Sequence, residues 1–271
     1  MISIFGSSGF IGSRYSTIYK DVFKIDRNDR KPKSNDILYF ISTVDNYNIY
    51  ENISLDVETN LNVLCEVLNH CRSNKITFNF ISSWFVYGKT HQLPAKESQT
   101  CNPTGFYSIT KKCAEDLIIS FANTYGMKYR ILRLCNVLGK NDNKCSKKKN
   151  AITWMIKEIK KNNDITLYDQ GTHKREIIHV DDACRAINLI IQKSSKNEIY
   201  NIGTGKATAI NDIMVLAKKF TKSKSKFKNI KTPEFHKSVQ ARDFWMNNSK
   251  LSYLGFQEQI NLESMIKELC Q

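Results

Sequence analysis

Ile2-Ser3-Ile4-Phe5-Gly6-Ser7-Ser8-Gly9-Phe10-Ile11-Gly12 opens the chain with a short apolar run, three glycines spaced three apart and the start of an amphipathic stretch. That order predicts a strand, a tight turn and a helix. Glycines at those positions let the chain turn sharply, let backbone N–H groups at the helix N-terminus reach a pyrophosphate, and let helix and strand pack closely. The next apolar run, Val22 to Ile25, ends at Asp26, twenty residues beyond Gly6, the separation expected of an acid that binds a ribose. A carboxylate there favours NAD, because it accepts the 2′-hydroxyl and repels a 2′-phosphate. Arg27, directly after it, is placed to meet that phosphate or the adenine, so NADP stays open as the alternative. The expected dinucleotide contacts are Gly6, Ser8, Gly9, Phe10, Ile11, Gly12, Asp26 and Arg27.

Outward from this stretch, apolar runs alternate with helical patterns: Ile37 to Ile41, a long helix near Ile53 to Cys71, and Ile76 to Ile81. The rhythm continues with a helix around Tyr107 to Phe121, Tyr129 to Cys135, a helix near Val180 to Ile191, and Ile199 to Ile202. Short strands alternating with helices predict an α/β fold with a parallel sheet, and near-continuous apolar strands suit a sheet covered on both faces. After Asn136 the rhythm weakens into polar loops and a lysine-rich tract. We therefore expect a dinucleotide-binding domain from 1–140 and 174–200, and a smaller C-terminal α+β lobe for the substrate from 141–173 and 201–271.

Composition narrows the class. With 271 residues, 41% hydrophobic and 25% charged, the chain is an ordinary globular sequence, which disfavours disorder and collagen-like repeats. No apolar run is long enough for a spanning helix, and the first residues lack a basic start followed by a long apolar run, so a cytoplasmic protein without a membrane partner is expected. Eight cysteines form no C-x-x-C pair and have no histidine at zinc-finger spacing; reduced thiols and no metal site are expected. The net charge of +15 concentrates in Lys144 to Lys149 and Lys218 to Lys228. We read these tracts as solvated flexible loops. A nucleic-acid partner is disfavoured, since neither aromatic stacking motifs nor a recognition helix accompany the lysines.

Tyr107-Ser108-Ile109-Thr110-Lys111 sets a phenol and an ammonium four residues apart on one helix face. A nearby positive charge favours phenolate and should lower the tyrosine pKa toward the range of a general base. Ser82-Ser83 closes the strand from Ile76, with Val86-Tyr87-Gly88 just beyond.

Taken together, the chain resembles the extended short-chain dehydrogenase/reductase family, in its NAD-dependent nucleotide-sugar epimerase/dehydratase branch. The resemblance covers almost the whole length. It is carried by the glycine turn, Ser83 to Gly88, Tyr107 with Lys111, Leu132-Arg133-Leu134-Cys135-Asn136-Val137-Leu138-Gly139, Arg175-Glu176-Ile177-Ile178-His179-Val180-Asp181-Asp182, and Tyr200-Asn201-Ile202-Gly203-Thr204-Gly205. It implies a Rossmann-like doubly wound sheet and a nucleotide-diphosphate sugar as partner. It further implies that Tyr107 takes a proton from a sugar hydroxyl as a transient ketosugar forms, that Ser83 hydrogen-bonds the reacting oxygen, and that Lys111 holds the nicotinamide ribose and keeps the phenol acidic. Asn136 resembles a substrate-contacting asparagine, Asn60 an asparagine near the active site, and Arg175 and Arg242 fall in segments that approach the diphosphate, a task suited to a planar guanidinium fork. A homodimer is implied, paired through the Tyr107 helix and the long helix before it, with Leu117, Ile118 and Phe121 as an outward apolar stripe.

Two departures matter. Where the family's dehydratases carry Asp-Glu after the catalytic hydroxyl, this chain has Trp84-Phe85, which cannot exchange protons; Trp84 is instead expected to pack against a sugar or the nicotinamide. Between Asp26 and Asp36 there is room only for a short loop, so the sheet is expected to be trimmed by one helix-strand unit after the second strand, with a more exposed adenine side and weaker cofactor binding. These features point to an epimerase, most plausibly at C4, with a 4-ketosugar reductase that uses NADH or NADPH as the alternative. A cofactor-binding regulator on the same fold is disfavoured because both Tyr107 and Lys111 are retained.

Overall fold

The computed structural model describes residues 1–90, 92–143 and 145–271. The first half lays down β1 (Ile2–Phe5), α1 (Phe10–Ile18), β2 (Val22–Lys24), β3 (Asp36–Tyr39), the short α2 (Asn48–Glu51) and α3 (Leu55–Val57), a π turn at Glu58–Asn62, α4 (Val63–Asn69), β4 (Thr77–Ser83), α5 (Phe106–Tyr125), β5 (Lys128–Leu134) and β6 (Asn136–Leu138). The second half adds α6 (Ala151–Lys160), β7 (Ile165–Tyr168), β8 (Lys174–Arg175), β9 (Ile177–His179), α7 (Val180–Lys193), β10 (Glu198–Ile202), β11 (Thr208–Ala209), α8 (Ile210–Thr221), β12 (Phe227–Ile230), α9 (Glu234–Val239), α10 (Ser249–Tyr253) and α11 (Leu262–Cys270).

Six strands form one parallel sheet in the order β2-β1-β3-β4-β5-β10. The chain steps from β1 outward to β2 and then back across β1 to β3, and this reversal opens a crevice beyond the carboxyl end of β1, where ligands of such sheets sit. Register brings Phe5, Tyr39 and Phe80 level, and likewise Ser83, Leu134 and Ile202. Side chains at the strand ends therefore share one rim.

Both faces of the sheet are covered, which is why apolar residues recur in every strand. On one face Tyr15 of α1 and Cys184 and Ile187 of α7 pack with Ile4, Leu132 and Ile202. On the other, Leu64 of α4 and Ile118 of α5 pack with Ile37, Phe78 and Ile131. Ile118 thus belongs to the core rather than to an outward stripe, while Leu117 stays exposed on the far side of the same turn. A third apolar cluster gathers Ile156 of α6, Ile165 of β7, Ile213 of α8 and Met265 of α11. Among the described residues no helix is long and apolar enough to cross a membrane.

The sheet ends at β2. Residues 25–35 link β2 to β3 without a helix, so the trimmed edge expected from the short Asp26-to-Asp36 spacing is what forms. The lysine tract from Lys218 to Lys228 departs from the loop expected of it. Lys218 and Lys219 lie in the last turn of α8, favourable for cations beside a helix C-terminus, and Phe227–Ile230 pairs with β7. Lys147, Lys148 and Lys149 form part of the wall of a cleft. Lys144 lies outside the described residues.

Candidate functional site

A cleft of about 1250 Å³ runs along the carboxyl rim of the sheet. At one end stands the glycine turn. Gly6 takes a left-handed conformation, φ +81°, and a side chain on Gly12 would strike the Gly6 carbonyl, so both positions need the bare backbone. The N-cap of α1, Gly9, offers no side-chain cap, and its first turn holds no acid. Open N–H groups at the positive end of a helix dipole fit an anion. Gly6, Ser8, Gly9, Phe10, Ile11 and Gly12 all line this end. Asp26 and Arg27 do not: they are exposed at the tip of β2, where the Asp26 carboxylate accepts the Asn28 N–H at 3.0 Å. With no further helix and strand beyond β2, nothing among the described residues encloses them on the adenine side. The residues present fit a dinucleotide pyrophosphate, with the ribose acid left on an open edge.

In the middle of the cleft, Ser83 ends β4, and Tyr107 and Lys111 project from successive turns of α5. Tyr107 is 7% exposed. Burial pushes its phenol up to about 12, with Asp56 and Asp45 pushing the same way and the Ser83 and Ser42 hydroxyls pulling back. Burial likewise pushes the Lys111 amine down to about 7, against the opposing carboxylate of Glu115. The expected acidification of the phenol by its lysine is therefore not found in the protein alone. The reason is local: the Lys111 Nζ donates to the Ile81 carbonyl at 2.6 Å and lies 3.9 Å from the centre of the Phe80 ring, in a site too dry for its charge to act freely.

A buried polar network fixes this region. Arg133 of β5 donates from Nη2 to Glu115 Oε2 at 2.7 Å and from Nε to Oε1 at 3.0 Å, and the Ser82 hydroxyl donates to the same Oε1 at 2.5 Å. Asn60, on the π turn, accepts from the Ser42 hydroxyl and the Thr43 N–H and donates to Thr110, tying the loop after β3 to α5 one turn from Tyr107.

The far wall is aromatic and cationic. Trp84 stacks on Phe85 at 4.1 Å and on Phe244 at 4.8 Å, and Phe85 turns its edge to Tyr107. The Arg175 guanidinium lies 5.5 Å from the Trp84 ring centre. It donates to the carbonyls of Lys174, Arg242 and Ala241, and burial pushes it down to about 10. Arg242 reaches the same cleft, donating to Asp243 at 2.7 Å and to Thr172 at 3.1 Å. Asn136 lines it too, its amide donating to the Glu176 carbonyl at 2.9 Å. A buried cation held by carbonyls beside an open cleft is arranged for an anionic ligand.

Sequence reading missed the loop Ser42 to Tyr47 and His236, all part of the wall. Tyr47 hydrogen-bonds His236 Nε2 and packs its ring on Phe235 at 5.0 Å, bridging the sheet side to α9. Nothing in a one-dimensional pattern marks such a pair, separated by nearly two hundred residues. Only the polar run after an apolar strand end hinted at a rim loop.

The sequence profile described as "Epimerase: NAD dependent epimerase/dehydratase family" matches residues 38–203. A candidate UDP-glucose 4-epimerase of Methanocaldococcus jannaschii is 28% identical over 215 residues, covering 79% of this chain and 68% of the relative. Among solved structures, the UDP-glucuronic acid 4-epimerase from Bacillus cereus in complex with UDP-glucuronic acid and NAD superposes with a TM-score of 0.89 at 19% identity, over 99% of this chain and 97% of that one. RMD from Pseudomonas aeruginosa, complexed with NADPH, gives 0.86 at 16% identity, over 99% and 97%. The profile begins at β3, downstream of the glycine turn, yet it spans well over half the chain and takes in Ser83, Tyr107, Lys111, Asn136 and Arg175. The chain belongs to the NAD dependent epimerase/dehydratase family of enzymes.

Proposed function

We propose that this chain is a nucleotide-sugar epimerase acting at C4 through a transient ketosugar. The observation that carries the reading is the meeting of Ser83, Tyr107 and Lys111 in one cleft with the glycine turn, beside Trp84 and Phe85 where dehydration would need two acids. NAD, bound along the glycine turn with Asp26 and Arg27 at its exposed adenosine end, supplies reversible oxidation of the sugar carbon. Tyr107 exchanges the proton of the reacting sugar hydroxyl, Ser83 hydrogen-bonds that oxygen, and Lys111 stabilises the charge left when the phenol loses its proton. Arg175 and Arg242 clamp the diphosphate, Asn136 orients the sugar, and Trp84 with Phe85 supplies an apolar floor that keeps water out. The relative from Methanocaldococcus jannaschii and the Bacillus cereus structure support the substrate class.

A reductase acting on a nucleotide 4-ketosugar is the second reading. It is favoured by the phenol itself, which burial holds protonated at neutral pH and so ready to give a proton to a ketone, and by the likeness to an NADPH complex. Denaturing the purified protein and identifying released dinucleotide by mass spectrometry separates the two. Near-stoichiometric NAD, followed by inversion of UDP-glucose to UDP-galactose seen by NMR, supports the epimerase. An empty protein that binds NADPH and reduces a 4-ketosugar supports the reductase, and failure to bind either dinucleotide refutes both.

The division into 1–140 with 174–200 and 141–173 with 201–271 follows this reading, the first part holding NAD and the second the nucleotide sugar. We further infer a homodimer through α4 and α5, the latter leaving Ile109, Leu117 and Tyr125 exposed; light scattering should return about twice the 31.3 kDa chain mass. Eight free thiols support a cytoplasmic location.

A further inference from the structure

Between β8 and β9, Glu176 buries a carboxylate directly behind Arg175, with the residue 1% exposed. Its Oε1 accepts the Gly205 N–H at 2.6 Å and its Oε2 the Met246 N–H at 2.8 Å. Both oxygens are thus held by backbone groups. Burying a carboxylate on such terms is costly, and the cost has a reason in the number of acceptors. The two N–H groups come from separate segments, one from the loop after β10 and one from the stretch that follows α9. A carboxylate offers both an acceptor; a glutamine would offer one, and turn its NH2 toward the other N–H. The fold also keeps the space clear, since a Cβ on Gly203 would strike Oε1.

The stretch after α9 is the one that cradles Arg175. Its guanidinium donates to the carbonyls of Ala241 at 3.1 Å and Arg242 at 2.6 Å. Two residues further on, Phe244 donates its N–H to the Lys174 carbonyl at 3.1 Å and stacks on Trp84. Met246, bound to Glu176, fastens the end of the same stretch. Side chains alternate along extended backbone, and accordingly Arg175 lines the cleft while its neighbour Glu176 does not. The Glu176 carbonyl meanwhile accepts the Asn136 amide at 2.9 Å. One residue therefore joins β6, the loop after β10 and the stretch beyond α9 behind the wall on which Arg175 lies.

We propose that Glu176 is a positioning residue for diphosphate binding: by joining Gly205 and Met246 through its two carboxylate oxygens, it keeps the carbonyls of Ala241 and Arg242 where they hold the Arg175 guanidinium beside Trp84 at the cleft wall. The inference rests on the nucleotide-sugar reading above, with Arg175 as the diphosphate contact. The effect is one of geometry rather than of charge, since the carboxylate that acts on the buried guanidinium is Asp243.

Calorimetric titration of the full chain with UDP tests it, at pH 8 so that the carboxyl, which burial raises to about 7, is ionised. Glu176→Gln should weaken UDP roughly tenfold, as expected when a charge-assisted hydrogen bond to phosphate is misaligned. In an Arg175→Met background the same substitution should change the Kd by less than about twofold, because two residues that act through one contact are not additive. A residue that merely supports the fold would show no such coupling. Gly203→Ala, which displaces the carboxylate and leaves its charge, should weaken UDP as Glu176→Gln does and lose that effect in the same background. Dinucleotide binding should match the wild type in every variant, since the glycine turn stands at the other end of the cleft. The proposal is overturned if either folded variant binds UDP as tightly as the wild type, if the loss persists undiminished without Arg175, or if dinucleotide binding falls in step with UDP. Should Glu176→Gln fail to fold, Gly203→Ala with and without Arg175 decides the matter by the same criteria. If the wild type binds no UDP, the nucleotide-sugar reading is what fails.

Discussion

Arg133→Met would leave Glu115 of α5 without its buried cation. The side chains of the pair are 2% and 1% exposed, and water cannot replace the lost guanidinium. Deleting one partner of a buried pair costs about 3–5 kcal/mol. With a urea slope of about 3 kcal/mol/M for a chain of this size, the midpoint should fall by about 1 M. Far-UV circular dichroism and tryptophan fluorescence should report the same midpoint. Arg133→Met with Glu115→Leu removes both charges and should recover most of the stability. A midpoint shift below about 0.3 M at unchanged slope, or a double variant no better than the single one, would refute the claim that this pair is held as buried charge.

Tyr107→Phe should lower kcat for sugar inversion by roughly 10²–10⁴-fold, with the dinucleotide released on denaturation unchanged. Arg175→Met should weaken UDP binding by roughly 10- to 100-fold in calorimetry, the worth of a charge-assisted hydrogen bond to phosphate; an unchanged Kd would remove the arginine from the diphosphate site. Lys111 carries a pH signature. Its folded pKa of about 7 lies below the ordinary lysine value, so the unfolded chain binds the proton more tightly, and stability should rise with pH between about 7 and 10.5. Lys111→Met removes that slope: the variant should be the more stable protein near pH 7, with its advantage fading toward pH 10, while inversion activity is lost. A stability difference that does not vary with pH would show that the amine is not held dry.

The sheet was legible because parallel strands buried on both faces leave short, dense apolar runs, as in Ile37-Leu38-Tyr39, all of them buried. The glycine turn and the Tyr107–Lys111 pair were legible because each chemistry needs fixed local spacing. The second lobe was less so. α8 and β12 carry lysines through their exposed faces, so a stretch that reads as solvated charge folds into a helix end and a strand. The pKa of Tyr107 was misjudged for a different reason: spacing reveals a neighbouring charge, but the degree of dehydration depends on Phe80, Phe85 and the rest of the packed wall.

The strand order also bears on how the chain is made. β2, β1, β3, β4 and β5 all come from the first 134 residues, so five sixths of the sheet can assemble while the rest is still being synthesised. β5 then waits, its outer edge unpaired, until β10 appears roughly seventy residues later, an interval of several seconds at ordinary rates of translation. During that time Lys128-Tyr129-Arg130-Ile131-Leu132-Arg133-Leu134 presents an open row of backbone donors and acceptors. Asn79 and Glu115 precede this strand in the chain, so Arg130 and Arg133 can already be held against them while the edge waits for β10.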